Sequence, residues 1–196
     1  EQTEDGGYII AGGSQPDHSS GELVVIKSNS AGKMMWHQKM GDSQKDETAL
    51  DVKQTMDKGF IVAGLIEEDY TRAHRQDADA WFVKLGKEGN VSWSKSFGGD
   101  KYDSPKSIEQ TQNGSYVFAG ETYSYSDDYS SEWGTSDQWV GKLDNSGNKM
   151  WFKNYGDSKG NSLSDLELLD NGDILAAGTD ALNISLFRLG PDGEKE

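Results

Sequence analysis

The chain has no cysteine among its 196 residues. Disulfides, thiolate nucleophiles and cysteine-ligated metal centres are therefore excluded. Proline is scarce, at three residues, and no apolar run approaches the roughly 18 residues of a membrane-spanning helix. No stretch sustains the 3.6-residue periodicity of an amphipathic helix. Hydrophobic residues make up only 33% of the chain, yet six Trp, eight Tyr and six Phe are present. A disordered chain of similar hydrophobicity lacks such an aromatic complement. Positive charge is also in short supply: 19 Lys and Arg against 34 Asp and Glu give a formal net charge of −15. So acidic a chain is repelled by nucleic-acid backbones and anionic membranes, and neither is expected as a partner. Cations, neutral glycans and basic protein surfaces stay open. No signal-peptide pattern is present, and Glu1-Gln2-Thr3 begins in mid-pattern, which leaves room for a targeting segment ahead of it.

Glycine, at 24 residues, is abundant, and its placement is periodic. Asp5-Gly6-Gly7-Tyr8-Ile9-Ile10-Ala11-Gly12 returns as Asp57-Lys58-Gly59-Phe60-Ile61-Val62-Ala63-Gly64. It returns again as Asn113-Gly114-Ser115-Tyr116-Val117-Phe118-Ala119-Gly120 and as Asn171-Gly172-Asp173-Ile174-Leu175-Ala176-Ala177-Gly178. The Ala-Gly pair recurs after 52, 56 and 58 residues, and Trp36, Trp93 and Trp151 recur after 57 and 58. Internal repeats of this length signal a modular architecture.

Each unit holds four strand-like runs. The first (Ala49–Thr55, Pro105–Thr111, Leu163–Leu169) alternates, with Val52, Ile108 and Leu166 apolar beside Asp51, Ser107 and Asp165; this is the pattern of a half-buried strand. An Asp-Gly or Asn-Gly type turn follows. The second run, ending in Ala-Gly, is almost continuously apolar and should be buried on both faces, its small end admitting a neighbouring backbone or large side chain. The third (Leu23–Lys27, Ala80–Leu85, Gln138–Leu143, Ile184–Leu189) carries a recurring basic residue, Lys27, Lys84, Lys142 and Arg188. It is expected as a structural partner for acidic groups in neighbouring strands, or as simply solvated. Five residues on lie the turn glycines Gly32, Gly89, Gly147 and Gly193, which supply positive φ. The fourth run (Met34–Met40, Val91–Phe97, Lys149–Tyr155) places its tryptophan four residues after that glycine.

Four antiparallel strands every 52–58 residues match the size of a propeller blade, whereas solenoid coils are shorter and sandwiches do not repeat so regularly. The expectation is an all-β propeller of four-stranded antiparallel blades, about three and a half in this chain, forming one domain over residues 1–196. The units are approximately 1–42, 43–100, 101–158 and 159–196. The first lacks most of its first strand and the fourth lacks its last, leaving 14 strand runs. Three arrangements stay open: part of a longer propeller, a ring completed by another copy or chain, or an atypical four-bladed ring. The run Asp79-Ala80-Trp81-Phe82-Val83-Lys84-Leu85, with its Gly-Asn turn and Gly98-Gly99-Asp100 end, resembles bacterial SBBP-type propeller repeats. The Gly-x-x-x-Trp spacing of Gly32/Trp36, Gly89/Trp93 and Gly147/Trp151 is similar to the tryptophan-docking motif of PQQ-like propellers. The resemblance spans essentially the whole chain and concerns blade construction rather than a site.

The loops between the second and third runs are long and unlike one another, and variable loops on a rigid scaffold are where binding sits. The third, Glu121 to Asp137, is the most distinctive. Its Tyr123, Tyr125, Tyr129 and Trp133 stand among carboxylates with no basic residue, a composition suited to sugar rings or protein contacts, or else to packing the loop onto its own blade. On the same face Asp42 and Glu47, Asp100 and Asp103, Asp157 and Asn161, and the Asp127-Asp128 pair offer oxygen ligands for Ca²⁺, without the spacing of a defined calcium loop; a solvated acidic rim is the other reading, and the expected one. The turn tryptophans are expected to dock between blades. His18, His37 and His74 occupy no repeated position. No catalytic residue and no metal site is assigned, and no cofactor beyond that calcium option. Sialidase-type propellers carry Ser-x-Asp-x-Gly-x-x-Trp boxes; in Asp144 to Trp151 both spacings are one residue too long. The composition and resemblance imply a non-catalytic, bacterial extracellular or cell-surface binding or display module, with a protein or glycan ligand. An envelope assembly scaffold is the alternative, and a fragment of a quinoprotein- or glycosidase-like propeller enzyme a second.

Overall fold

In the computed structural model, residues 1–14, 21–42, 45–67, 77–124, 135–156 and 160–196 are described. They form 14 strands and no helix. The first sheet is β1 (Tyr8–Ser14), β2 (Glu22–Ser28) and β3 (Met34–Met40). The second is β4 (Asp46–Gln54), β5 (Phe60–Glu67), β6 (Ala78–Leu85) and β7 (Val91–Phe97). The third is β8 (Asp103–Gln110), β9 (Tyr116–Thr122), β10 (Asp137–Leu143) and β11 (Lys149–Tyr155). The fourth is β12 (Asn161–Leu168), β13 (Ile174–Asp180) and β14 (Asn183–Leu189). All pairings are antiparallel and follow chain order. The expected number of strand runs is therefore met, and the missing strands are where the sequence placed them. A stub at each end stands in for them: Gln2 bridges Tyr8, and Lys195 bridges Leu189.

The sheets stack face to face in chain order because each second strand is apolar on both sides. Three core clusters lie between successive sheets. Ile9, Leu23 and Val25 of the first sheet meet Val52, Phe60, Val62 and Val83 of the second. Ile61, Ala63 and Phe82 meet Ile108, Tyr116, Phe118 and Trp139 of the third. Val117, Ala119 and Val140 meet Leu163, Leu166, Ile174 and Phe187 of the fourth. Each second strand packs on the first strand of the next sheet: β1 on β4, β5 on β8, β9 on β12. No core cluster among the described residues joins the fourth sheet to the first.

Each turn tryptophan lies over the turn glycine of the following sheet. A Cβ added at Gly89 would sit 2.9 Å from the Trp36 ring, and Gly147 and Gly193 meet Trp93 and Trp151 in the same way. All three glycines have φ between +77° and +85°, so both the turn and the overlying ring call for glycine. Trp93 Nε1 also donates to the Asn145 carbonyl at 3.2 Å. Trp36, Trp93 and Trp151 thus each lie against the turn of the next sheet among the described residues.

The Ala-Gly ends serve a feature that the repeat pattern does not display. Each complete first strand is bulged, at Ala49/Asp51, Pro105/Ser107 and Leu163/Asp165. The bulge pushes the carbonyls of Thr48, Ser104 and Ser162 into the space that a side chain at Gly64, Gly120 or Gly178 would need. The fourth strands are bulged too, so that Trp36, Trp93 and Trp151 pair with Lys27, Lys84 and Lys142. Bulges redirect side chains and raise local twist.

These contacts set up a paired test. Gly120→Ala forces a methyl against the Ser104 carbonyl and should cost about 1–3 kcal/mol, as overpacking does. Gly12 is the equivalent position in the first sheet, where nothing lies within 4 Å. Gly12→Ala should therefore be neutral or stabilising by up to about 1 kcal/mol. Urea melts of the two variants check this.

Candidate functional site

The recurring basic residues are accounted for at the turn end of the sheets. Lys27 Nζ lies 2.9 Å from Asp5 and donates to the Ser28 carbonyl at 2.7 Å. Lys84 repeats this with Asp57 at 2.9 Å and the Leu85 carbonyl. Thr3 and Thr55 hydroxyls and the Gly7 and Gly59 N–H groups donate to the same carboxylates. In the third sheet Asn113 replaces the aspartate, and Lys142 instead donates to the Pro191 carbonyl of the fourth sheet at 3.1 Å. In the fourth, Arg188 pairs with Asp173. These cations tie hairpins together rather than bind an external anion. Burial acts to raise the Asp57 carboxyl, but the Thr55, Lys84 and Gly59 donors outweigh it and lower it to about 2. The same donor set holds Asp5 far below the usual carboxylate range.

The opposite end carries the variable loops. A cavity of about 390 Å³ opens there, lined by Ser14 and Gly21 of the first sheet, by Asp46, Glu47, Thr48 and Glu67 of the second, and by Tyr102. Asp46 accepts a hydrogen bond from the Gly21 N–H. Glu47 is buried; its Oε1 accepts from the Asp42 N–H at 3.0 Å, and its Oε2 has no hydrogen-bond partner among the described residues. Burial pushes the Glu47 carboxyl above its ordinary range, with Asp42 and Asp46 adding to the push and the Asp42 N–H opposing it.

The repeat register shows what these residues are for. Glu47, Asp103 and Asn161 occupy the same place, two residues before the strand bulge region. Asp103 is fully buried and accepts from the Gly99 N–H at 2.9 Å, from the Ser124 hydroxyl at 2.6 Å and from the Thr122 hydroxyl. Asn161 Oδ1 accepts from the Ala181 N–H at 3.2 Å. Glu47 and Asp103 thus pin the loops that enter their own sheets. No group of three or more His, Asp or Glu able to hold a metal is found among the described residues. Asp127, Asp128 and Asp157 lie outside those residues.

Of the aromatic residues expected to bind a ligand, Tyr123 is on this face. Its N–H donates to the Tyr102 carbonyl at 3.0 Å, and the two rings meet edge to face with centroids 6.2 Å apart. Lys106 Nζ stands 5.8 Å from the Tyr102 ring centre and 3.1 Å from Glu121. Tyr125, Tyr129 and Trp133 lie outside the described residues, as do His18 and His74. His37 sits exposed on β3. Tyr102 was missed from the sequence because it stands in a short loop between units, not in a long one. Asp46 and Glu67, a cross-strand pair, occupy in the second sheet the places that Tyr102 and Tyr123 hold in the third.

No family model matches the chain, and no curated protein matches it. Among solved structures, a chain described as the eukaryotic initiation factor aligns with 90% of this chain at 11% identity and a TM-score of 0.31. This chain covers 48% of that one. A likeness at that level carries no argument about fold or function.

Two pH effects of opposite sign follow. Asp57, with its depressed carboxyl, adds stability that is complete above its unfolded value of 3.8 and is lost as pH falls through about 2. Asp57→Asn should therefore flatten the acid limb of the stability curve. Glu47 is raised, so its ionised form is penalised in the folded state; that penalty is present at neutral pH and disappears below 4.5. Glu47→Gln keeps the acceptor for the Asp42 N–H and should be as stable as the parent or more so at pH 7, with the difference vanishing in acid. Thermal melts from pH 2 to pH 8, at steps of about one unit, check both.

Proposed function

We propose that this chain is an arc of a β-propeller and works as a non-catalytic binding module, its ligand held at the loop end. Four antiparallel sheets stacked in sequence, with a tryptophan over the next turn glycine at each interface, support the propeller reading. The inner strands also approach one another. The Ile108 N–H donates to Asp51, the Ser107 hydroxyl donates to Asp165, and Lys53 meets Glu109 at 2.6 Å. The Gly-x-x-x-Trp turns also resemble those of SBBP-type and PQQ-like repeats.

The observation that carries the binding reading is the loop-end cavity. It combines carboxylate and hydroxyl groups, from Asp46, Glu47, Glu67, Ser14 and Thr48, with the Tyr102 ring. Acceptors around a flat aromatic face suit a neutral, hydroxyl-rich ligand, which donates hydrogen bonds and stacks a C–H face. The volume is that of a small-molecule site. A saccharide unit of a glycan is the ligand class that fits. The acidic charge and the absence of cysteine are compatible with an extracellular or cell-surface setting.

Titration with a panel of neutral mono- and disaccharides, followed by amide chemical shifts, tests this. Binding should perturb Gly21, Thr48, Glu67 and Tyr102, and Tyr102→Ala should weaken it about tenfold, roughly 1.4 kcal/mol. Perturbations confined to other surfaces, or binding unaffected by Tyr102→Ala and Glu67→Gln, would overturn the assignment.

A further inference from the structure

At the interface of the second and third sheets, Phe152 of β11 stands in the middle of an aromatic cluster. Its ring centre lies 5.2 Å from those of Phe97 and Trp139 and 5.4 Å from that of Phe118, each meeting it near edge-on. Lys149 Nζ covers the ring at 4.5 Å. Gly141, directly across the ladder, makes room for it: a Cβ there would lie 2.6 Å from the ring. Trp139 is fully buried as a result.

The interface of the first and second sheets repeats this frame without its central ring. The tryptophan is kept, as Trp81. Ser94 stands in the place of Phe152, Met40 in that of Phe97 and Val62 in that of Phe118. Val83, in the place of Gly141, returns only part of the lost volume. A groove of about 500 Å³ is left, lined by Met40, Ile66, Trp81, Val91, Ser94 and Glu47. Trp81 is only half-buried in it.

A hydrogen-bond donor is missing from the same groove. Glu47 pairs across the ladder with Ile66, and Asp103, its equivalent, pairs with Thr122. The Thr122 hydroxyl donates to Asp103 Oδ1, whereas Ile66 has no hydroxyl to give. Glu47 is buried, and its Oε2 has no hydrogen-bond partner among the described residues. A Cβ at Gly41 would lie 2.6 Å from that oxygen, so glycine, here at φ +151°, keeps that side of it clear. A buried carboxylate oxygen left in this way calls for a donor.

We propose that this groove binds a small aromatic amine, its ring set edge-on to Trp81 as Phe152 is to Trp139, and its ammonium group donating to Glu47 Oε2. One ligand restores both of the parts that the repeat has lost here. The ring gains burial and aromatic contact between the two sheets. The ammonium makes a charge-assisted hydrogen bond, the stronger class. A net charge of −15 favours a cation over an anion. The proposal is independent of the saccharide reading. Glu47 borders both cavities, but Trp81 and Ser94 line only this one, and Gly21 and Tyr102 only the other.

Titration of the full chain with benzylamine and phenethylamine, followed by amide and indole chemical shifts, gives the test. At least one of the two should produce saturable shifts at Gly41, Asp42, Ser94 and the Trp81 indole. Butylamine, which lacks the ring, and phenethyl alcohol, which lacks the charge, should each bind about tenfold more weakly or worse. Ser94→Phe should fill the groove with the chain's own ring and abolish binding. Glu47→Gln should weaken the amine about tenfold. If Ser94→Phe loses the dispersed spectrum of the folded chain, Ser94→Leu carries the same comparison. An absence of saturable shifts overturns the proposal, as does butylamine binding equally well, which would mean general attraction of cations. Binding that survives both Glu47→Gln and the folded Ser94 variant also overturns it. So do shifts centred on Gly21 and Tyr102, which would put the amine in the loop-end cavity.

Discussion

The constraint on which the rest depends is that no sheet in this chain can bury its own apolar residues. The second strand of each unit is apolar on both sides, so a sheet left alone exposes one or both of its faces to water. A small sheet without a partner layer is marginal at best. Stacking resolves this. Phe60 and Val62 cover the first sheet while Ile61 and Ala63 cover the third. The alternation of side chains along one strand therefore holds two interfaces at once, and β5 and β9 act as the keystones of the stack. The tryptophans complete each interface at its periphery, where the glycine turn of the next sheet lies flat enough to receive an indole ring.

Polar groups divide into two populations that follow from the same stacking. At the turn end, lysines are buried beneath hairpins and must be compensated, so Asp5 and Asp57 meet them, each carboxylate also accepting from a Thr hydroxyl and a Gly N–H. An uncompensated ammonium there would carry a desolvation cost. Where Asn113 removes the aspartate, Lys142 turns to a carbonyl of the neighbouring sheet. At the loop end, Glu47 and Asp103 are buried acceptors for loop N–H groups. They hold irregular backbone in place where strand pairing has ended. Asp103 also accepts from the Thr122 and Ser124 hydroxyls, whereas Glu47 Oε2 has no hydrogen-bond partner among the described residues.

The loop-end cavity arises from one local difference between repeats. In the third sheet the loop-end pair is Tyr102 and Tyr123, two rings in contact. In the second sheet the same places hold Asp46 and Glu67, shorter side chains that leave space. Tyr102 then forms one wall of that space. A site has emerged where the repeat was broken, while the repeated residues went into construction.

The sequence by itself determined the all-β class, the strand count and the two incomplete terminal sheets. Each rests on local periodicity: strand alternation, glycine turns and a fixed glycine-to-tryptophan spacing are properties of short windows, and four copies make them unmistakable. It also placed Tyr123 on the loop face. What the tertiary structure alone decided depends on residues distant in sequence. The bulges at Leu50, Lys106 and Ser164 shift the register between paired strands. They explain the Ala-Gly glycines through the carbonyls of Thr48, Ser104 and Ser162, a cause invisible in either strand alone. Asp103 read as a possible ligand in the sequence because carboxylates on one face look alike until their donors, Gly99, Thr122 and Ser124, are folded against them. Tyr102 became a wall of the cavity for the same reason: the space it borders belongs to three sheets, and no one repeat contains it.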